Sequence, residues 1–331
     1  MLKTINLLPA SFVRFVPAAV LLLFLCSCSL RSLMVAETVN IISDGISAFE
    51  QDDDIQMLEK AFPANIKLLE TFLAADPDNY NALVLLSRFY ALYGFVYFEG
   101  RLENAHLKKQ GPGPIDTGVR ENHPAKLRQD AVRCYQKGAA YALRAIDGRH
   151  RGSREKLRHI STRDDFFIAL GETDAPALFW YGFNLGGYVN LNRNSVRAIA
   201  RAHLAEKAMK RVIELKPDYY HAGAHVFLLS YYASRPPMLG GNLEASLYHY
   251  RQVKKRMGDG YLLPDFYFAR YYLHQKQNRQ EYERLLKNIM SYPETESEFR
   301  LHNTTAASRA KVYLEAIDRL FVGKNNESEK P

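Results

Sequence analysis

The sequence lacks the residue patterns by which most enzymes bind phosphate, hold a metal or activate a nucleophile. No glycine-rich phosphate loop occurs, and Gly240-Gly241 is better interpreted as a turn between two helices. His221 and His225 lie four residues apart, but no glutamate follows His221 and no third ligand has a suitable spacing. No Ser-His-Asp set, carboxylate pair or Cys-His couple stands out. We therefore expect no catalytic site, no metal and no cofactor.

Cysteine is equally scarce, with three residues in a chain of 331. Two of them follow a short apolar segment, residues 16–25, which two cations precede and which is too short to span a membrane as a helix. Leu25 and Ser27 lie three and one positions before Cys28, as in the lipobox of bacterial lipoproteins, whereas bulky Leu25 directly precedes Cys26. We predict a lipoprotein signal peptide over residues 1–27 and lipid on Cys28. An ordinary secretory signal with an incidental Cys-Ser-Cys is the alternative.

Removal of that leader leaves Cys134 as the one cysteine without lipid, so the mature chain cannot form an intrachain disulfide. Cys134 shares a predicted helical stripe with Ala131, Ala142 and Ile146, where a thiol behaves as a small apolar side chain. The fold must therefore be stabilised by burial. A chain of this length with 47% hydrophobic residues allows a large core.

The formal net charge of +8 is not concentrated in one patch. The densest basic run, residues 144–158, contains Asp147 and Glu155 among its arginines, a mixture that is typical of a solvated face. We therefore expect no nucleic-acid partner.

Strand patterns are missing beyond residue 30, and apolar residues recur at helical spacing instead. The turns Asp76–Tyr80 (DPDNY) and Lys216–Tyr220 (KPDYY) each end one predicted helix and begin another. Before the second turn, Ala205, Met209 and Val212 have the spacing of the second helix of a tetratricopeptide repeat. The turn chemistry therefore predicts repeated helix pairs.

The predicted pairs follow one another along most of the chain. Tyr80–Phe98 pairs with Lys126–Ile146, the helix around Gly182 pairs with the one before Pro217, Tyr220–Ser234 pairs with Leu243–Met257, and a weaker pair joins the segments around Ala269 and Leu286. Because one pair cannot bury its apolar face alone, we predict an all-α fold of stacked antiparallel helix pairs over residues 28–323. Thr304–Phe321 would be a capping helix, with Ala307, Ala310, Leu314, Ile317 and Phe321 facing inward, and 324–331 a polar tail.

Two polar insertions, residues 99–124 and 147–173, interrupt the predicted pairs. A short helix at Asp164–Leu170 is predicted within the second. Insertions of this length either carry function or are passive. Both interpretations stay open: surface loops that contact a partner or help assembly, or linkers.

Aromatic residues are abundant, with 21 tyrosines and 18 phenylalanines. Most should pack between helices, but in stacked pairs the first helices line a concave surface. Projection of the repeat spacing places there Arg88, Phe183, His221, Tyr231 and Arg270, with Trp180 nearby. Neither arginine has an evident acidic residue four positions away on that face. Aromatics with two guanidinium groups would suit a small amphiphile that carries a carboxylate.

Several segments of the chain resemble the T component of tripartite ATP-independent periplasmic (TRAP) transporters, a family of tetratricopeptide-repeat lipoproteins. The segments that carry the resemblance are Tyr135–Asp147, Ala175–Gly187, Glu214–Tyr232, Pro236–Tyr250 and Arg300–Ala310. The more specific features are the Gly-Gly turn before a helix of small and aromatic residues, and Leu-His-Asn before an alanine-rich helix. The departures are Phe227-Leu228-Leu229, where a glycine is usual, and the basic segment Val253–Met257.

The resemblance implies a homotrimeric lipoprotein that docks with the solute-binding protein of a TRAP transporter and contains a hydrophobic channel in each protomer. It brings no catalytic residues. The lipid anchor predicts a position on the periplasmic side of a bacterial membrane, and Ser29 favours the outer membrane over the inner. Two functions remain: a module that binds or passes on a hydrophobic or organic-acid ligand, and a general tetratricopeptide scaffold for envelope assembly without a small ligand.

Overall fold

The computed structural model of the protein describes residues 32–107, 123–293 and 297–321, and in these ranges it contains helices and no strands. The predicted signal peptide, the lipid site at Cys28, the tail 324–331 and part of the first insertion, residues 108–122, lie outside the described residues. The all-α fold predicted from the sequence is confirmed.

The described helices follow one another with short connections. They are α1 (32–44), α2 (Ile46–Glu50), α3 (Ile55–Ala75), α4 (Tyr80–Leu92), α5 (Gly100–Leu107), α6 (Pro124–Arg149), α7 (Ser153–Arg158), α8 (Ile160–Ala169), α9 (Ala175–Leu191), α10 (Val196–Ile199), α11 (Ala202–Leu215), α12 (Tyr219–Ala233), α13 (Leu243–Met257), α14 (Leu263–Tyr267), α15 (Arg279–Ser291), α16 (Arg300–Glu315) and α17 (Ile317–Leu320). Two π-helical segments, Tyr93–Glu99 and Phe268–Leu273, continue α4 and α14.

Helix starts are set by the polar residues of the turns. The side chains of Asp54, Asn79, Asn242 and Asn278 each accept a hydrogen bond from a backbone N–H in the first turn of the following helix. Such caps satisfy donors that have no partner inside the helix. Pro63 lies inside α3 without ending it, so the predicted restart at this proline does not occur.

Neighbouring helices pack in the order of the chain. α3 packs against α4, α4 against α6, α6 against α9, α9 against α11, α11 against α12, and α12 against α13. Cys134 is buried in α6, and burial raises the pKa of its thiol to about 12. The thiol is therefore protonated at neutral pH, as expected for a packing residue.

The array of helices closes on itself, because α16 contacts α2, α3 and α5. Arg309 of α16 is 4% exposed and donates a hydrogen bond to the carbonyl oxygen of Phe95. Its Nε lies 3.7 Å from the carboxylate of Glu103 in α5. Arg300 pairs with Asp53 at the start of α3. First and last helices thus enclose the space between them.

Three sequence predictions about boundaries and faces are wrong in detail. Helical structure continues to Leu107, so the first insertion does not begin at residue 99. The second insertion contains α7 and α8, because Leu157, Phe166 and Phe167 are buried against the rest of the protein. The capping helix starts at Arg300, and closure against α5 turns Arg309 inward.

One helix, Tyr80–Leu107, has the length and hydropathy of a membrane span, and 67% of its most apolar window is buried inside the protein. It is formed by α4, the first π-helical segment and α5. Burial among the other helices accounts for its apolar composition.

Candidate functional site

A cavity lies inside the closed array, between α6, α9, α12 and α16 and the first π-helical segment. We call it the central cavity; its empty volume, opening to solvent included, is about 880 Å³. Its walls are mainly aromatic: Phe95, Tyr135, Phe179, Phe183, Tyr220, Phe227, Tyr231, Tyr261, Tyr267 and Tyr271. Such a wall favours an apolar ligand over a strongly hydrated one.

One face of α12 forms a wall of the cavity over most of the length of the helix. The lining residues are Gly223, Val226, Phe227, Ser230 and Tyr231, with Ser234 just beyond the end. Their spacing of three and one is that of a single helical face. From Gly223 to Ser234 this face is roughly 16 Å long. The cavity is therefore elongated.

Glycines in α9 make room for the aromatic side chains of the wall. A Cβ at Gly186 would overlap the ring of Phe227, and a Cβ at Gly187 would overlap the ring of Tyr135. Gly223 of α12 lies equally close to Phe179. These glycines are required for close approach, since the backbone at all three needs no positive φ.

Both π-helical segments contribute to the cavity. The first supplies Phe95 and Glu99, and the second supplies Tyr271, with Tyr267 directly before it. A π-helical turn inserts one extra residue into a helix and so redirects the side chains that follow it. Such turns occur often at functional sites.

Two ionisable side chains of opposite sign line the cavity, Glu99 and Arg235. Burial raises the pKa of Glu99, and the hydroxyl of Tyr135 donates a hydrogen bond to its carboxyl group. Burial lowers the pKa of Arg235, which nevertheless stays charged, as arginine does in proteins. Arg235 lies in the loop after α12.

His302, Tyr220 and Tyr261 line the cavity near the start of α12. Nε2 of His302 lies 3.2 Å from the hydroxyl of Tyr220, and its Nδ1 is buried without a hydrogen-bond partner among the described residues. Burial lowers the pKa of His302 to about 4. This side chain is therefore a neutral imidazole at pH 7.

The backbone is strained beside these residues. Tyr220, His221 and Ala222 have φ angles of 51°, 55° and 54°, and the right-handed part of α12 begins only at Gly223. A left-handed conformation costs a residue with a side chain about 1–2 kcal/mol. Strain of this kind concentrates at functional sites, where the surrounding packing maintains it.

The structure brings some of the predicted ligand residues to the cavity and keeps others away from its wall. Phe183 and Tyr231 line it. Trp180 is fully buried behind the wall, with its ring 5.7 Å from that of Phe183. His221 packs against Phe299 outside the lining.

The two arginines of the projected concave surface have acidic partners from distant parts of the chain. Arg88 pairs with Glu50 and lies over the ring of Tyr220, and Arg270 pairs with Glu103. The expectation that both lack a partner is therefore wrong. A search four residues along the same helix misses these acids, because closure of the array brings them in. Ligand contact by either arginine stays a prediction.

Sequence reasoning missed Arg235, Glu99 and His302. Arg235 follows the last turn of α12 and therefore has no helical periodicity to reveal it. Glu99 was placed at the start of an insertion, and His302 before the predicted capping helix. The available signal for Arg235 was its place between a predicted helix and the Gly240-Gly241 turn.

No group of three or more histidine, cysteine, aspartate or glutamate residues within 32–107, 123–293 and 297–321 is arranged to hold a metal ion. A search of curated proteins finds none that matches the chain. A protein-family model described as "TRAP transporter T-component" matches residues 51–321.

Proposed function

From its membership of the TRAP transporter T-component family, to which the match over residues 51–321 shows that the chain belongs, we propose that this protein docks with the solute-binding protein of its transporter and binds or passes on a hydrophobic or organic-acid ligand. The family is a transporter component and not an enzyme family. The observation that carries the ligand proposal is the elongated aromatic central cavity.

Ligand binding is tested by what the protein retains when it is purified. Extraction of the protein from its native membranes, followed by mass spectrometry under non-denaturing conditions, should reveal a small apolar molecule in about stoichiometric amount. Gly187→Phe, which would fill the cavity beside Tyr135, should reduce this occupancy. Absence of any bound molecule, with docking retained, would favour the general scaffold for envelope assembly.

Docking is proposed at an apolar surface beside the opening of the central cavity. Val196 and Met238 are 83% and 87% exposed, and Leu239 is 48% exposed. Leu239 and Ile199, which belong to the same two short helices, line a side cavity next to Arg235. Exposed apolar side chains at a cavity opening suit a protein partner that receives or delivers the ligand.

The docking proposal predicts that a charge at this surface weakens the complex. Met238→Asp should reduce affinity for the solute-binding protein of the same transporter by at least about tenfold, as measured by calorimetry. Ile168→Asp is the matched control, because Ile168 is also exposed but lies on α8. Equal loss in both variants, or no loss in either, would place the docking surface elsewhere.

The protein is further proposed to be a homotrimer that is anchored by lipid on Cys28 to the periplasmic side of a membrane, the outer membrane rather than the inner. Cys28→Ser should abolish lipid labelling and release the protein into soluble export fractions. Continued labelling would move the site to Cys26, and release of the unchanged protein would contradict the anchor. Sedimentation of the released variant measures the oligomeric state.

A further inference from the structure

Arg235 lies where three cavities of the protein meet. It lines the central cavity together with Ser234, and the same two residues line two side cavities that open towards Arg193. One side cavity is bounded by α9 and α11, and the other by α15 and the second π-helical segment. A molecule that passes between the central cavity and either side cavity therefore passes the guanidinium group.

The guanidinium group is held in place without being neutralised. Its Nη1 donates a hydrogen bond to the carbonyl oxygen of Tyr231 at 2.9 Å, and its Cζ lies 3.7 Å from the centre of the Tyr231 ring. Within the described residues no carboxylate pairs with it. Glu206, the acid nearest in effect, already binds Lys210 and accepts hydrogen bonds from Tyr231 and Tyr232. Arg235 thus differs from Arg88 and Arg270, each of which has an acidic partner.

The backbone of the loop fixes where this side chain begins. A Cβ at Gly241 would overlap the carbonyl oxygen of Arg235, so the two segments of the loop are in direct contact. The N–H of Gly241 also donates to the carbonyl oxygen of Pro236 at 3.1 Å. A charged group on a fixed backbone, stacked on an aromatic ring, loses little freedom when it binds an anion.

We propose that Arg235 binds the carboxylate of the ligand, and that the ligand is an elongated monocarboxylate whose apolar body lies along the α12 face of the central cavity. This inference deepens the proposed ligand function and rests on it. A planar guanidinium group matches a carboxylate with two parallel hydrogen bonds, while the aromatic wall takes up the apolar body. His302 offers its unpartnered Nδ1 to a neutral polar group elsewhere on the same ligand.

The test compares two probes that differ only in charge, phenylhexanoate and phenylhexanol, on the full-length protein in one detergent at pH 7. Calorimetry should show tighter binding of the acid by the wild type. Arg235→Gln should weaken binding of the acid roughly 10- to 100-fold and leave binding of the alcohol unchanged. Arg235→Lys, which keeps the charge and loses the planar fork, should give an intermediate affinity.

Arg193→Gln is the matched control, because Arg193 lines both side cavities but not the central one. It should retain the preference for the acid. Circular dichroism on heating verifies that each variant is folded. Equal weakening of acid and alcohol in Arg235→Gln, or an unchanged preference for the acid, would overturn the assignment of Arg235. Equal binding of the two probes by the wild type would also overturn it, whereas binding of neither would overturn the ligand function itself.

Discussion

Single residues in this protein have roles that depend on details of the backbone, as Gly240 and Gly241 illustrate. The sequence identifies the pair as a turn between helices and predicts that at least one glycine has a positive φ. Gly240 has φ +86°, which confirms that prediction, whereas Gly241 is required for a different reason, its contact with the backbone of Arg235. Close approach of two segments leaves no pattern in a sequence.

These two glycines should therefore differ in their response to a methyl group. Gly240→Ala should destabilise the fold by about 1 kcal/mol through its left-handed backbone. Gly241→Ala should cost more, on the order of 3 kcal/mol, because backbone atoms must move. Urea unfolding measures both. Gly148→Ala is the control: Gly148 lies on the exposed side of α6 with open space around it, so alanine should be neutral or slightly stabilising. Equal costs at 240 and 241 would contradict the argument.

Buried histidines should make the fold sensitive to mild acid. Burial lowers the pKa of His225 and His302 to about 4 and that of His249 to about 3. The unfolded chain takes up protons below about pH 6.5 and the native chain does so only near pH 4, so stability falls as the pH falls between these values. Each buried histidine contributes about 2 kcal/mol to the difference between pH 7 and pH 5.

His302→Gln should therefore reduce the loss of stability between pH 7 and pH 5 by about 2 kcal/mol, measured by urea unfolding at both pH values. The exposed His106 provides the control variant, His106→Gln, which should leave the loss unchanged. A pH dependence that is the same in both variants would show that His302 is accessible to protons in the native state.

At the scale of elements, the sequence predicts best where turn chemistry and apolar spacing agree. α13 spans Leu243–Met257 as predicted, and α3 starts after its aspartate cap. The π-helical segments were not predicted, because one extra residue in a helical turn changes the spacing too little to detect. They nevertheless direct Phe95, Glu99 and Tyr271 into the central cavity. The site was therefore harder to predict than the helices that form it.

The two similar turns at Asp76–Tyr80 and Lys216–Tyr220 differ in their caps. Asn79 accepts a hydrogen bond from the N–H of Ala82, whereas the side chain of Asp218 makes no such bond and pairs with Arg256 at the surface. Asn79→Ala should destabilise the protein by about 1 kcal/mol. Asp218→Ala should cost only a few tenths, as exposed ion pairs do. Chemical denaturation of both variants is the measurement, and equal losses would refute the distinction.

At the scale of the whole molecule, the sequence predicts which helices pack as neighbours but not that the two ends of the array meet. Repeat patterns describe contacts between adjacent pairs, whereas closure depends on contacts between distant elements such as α5 and α16. This limit explains why Arg270 was interpreted as unpartnered. Its acid, Glu103, is separated from it by most of the chain.

The charged cluster at this closure should be essential to stability. Glu103 is 11% exposed, pairs with Arg270 and lies beside Arg309. Glu103→Gln would leave two buried guanidinium groups without their carboxylate and should cost about 3–5 kcal/mol. Asp318→Asn, which breaks an exposed pair with Arg279, should cost less than about 1 kcal/mol. Comparable unfolding midpoints for the two variants would mean that the cluster is hydrated.

Closure also determines how the protein can come apart. An open stack of repeats has two free ends, and its terminal helices can fray while the middle stays folded. When α16 packs on α2, α3 and α5, neither end is free, because each terminal helix is held by the other. Partial unfolding from one end must first break contacts with both halves. Amide protons of the first and last helices should therefore exchange with solvent together, in one cooperative unit, although they belong to opposite ends of the chain.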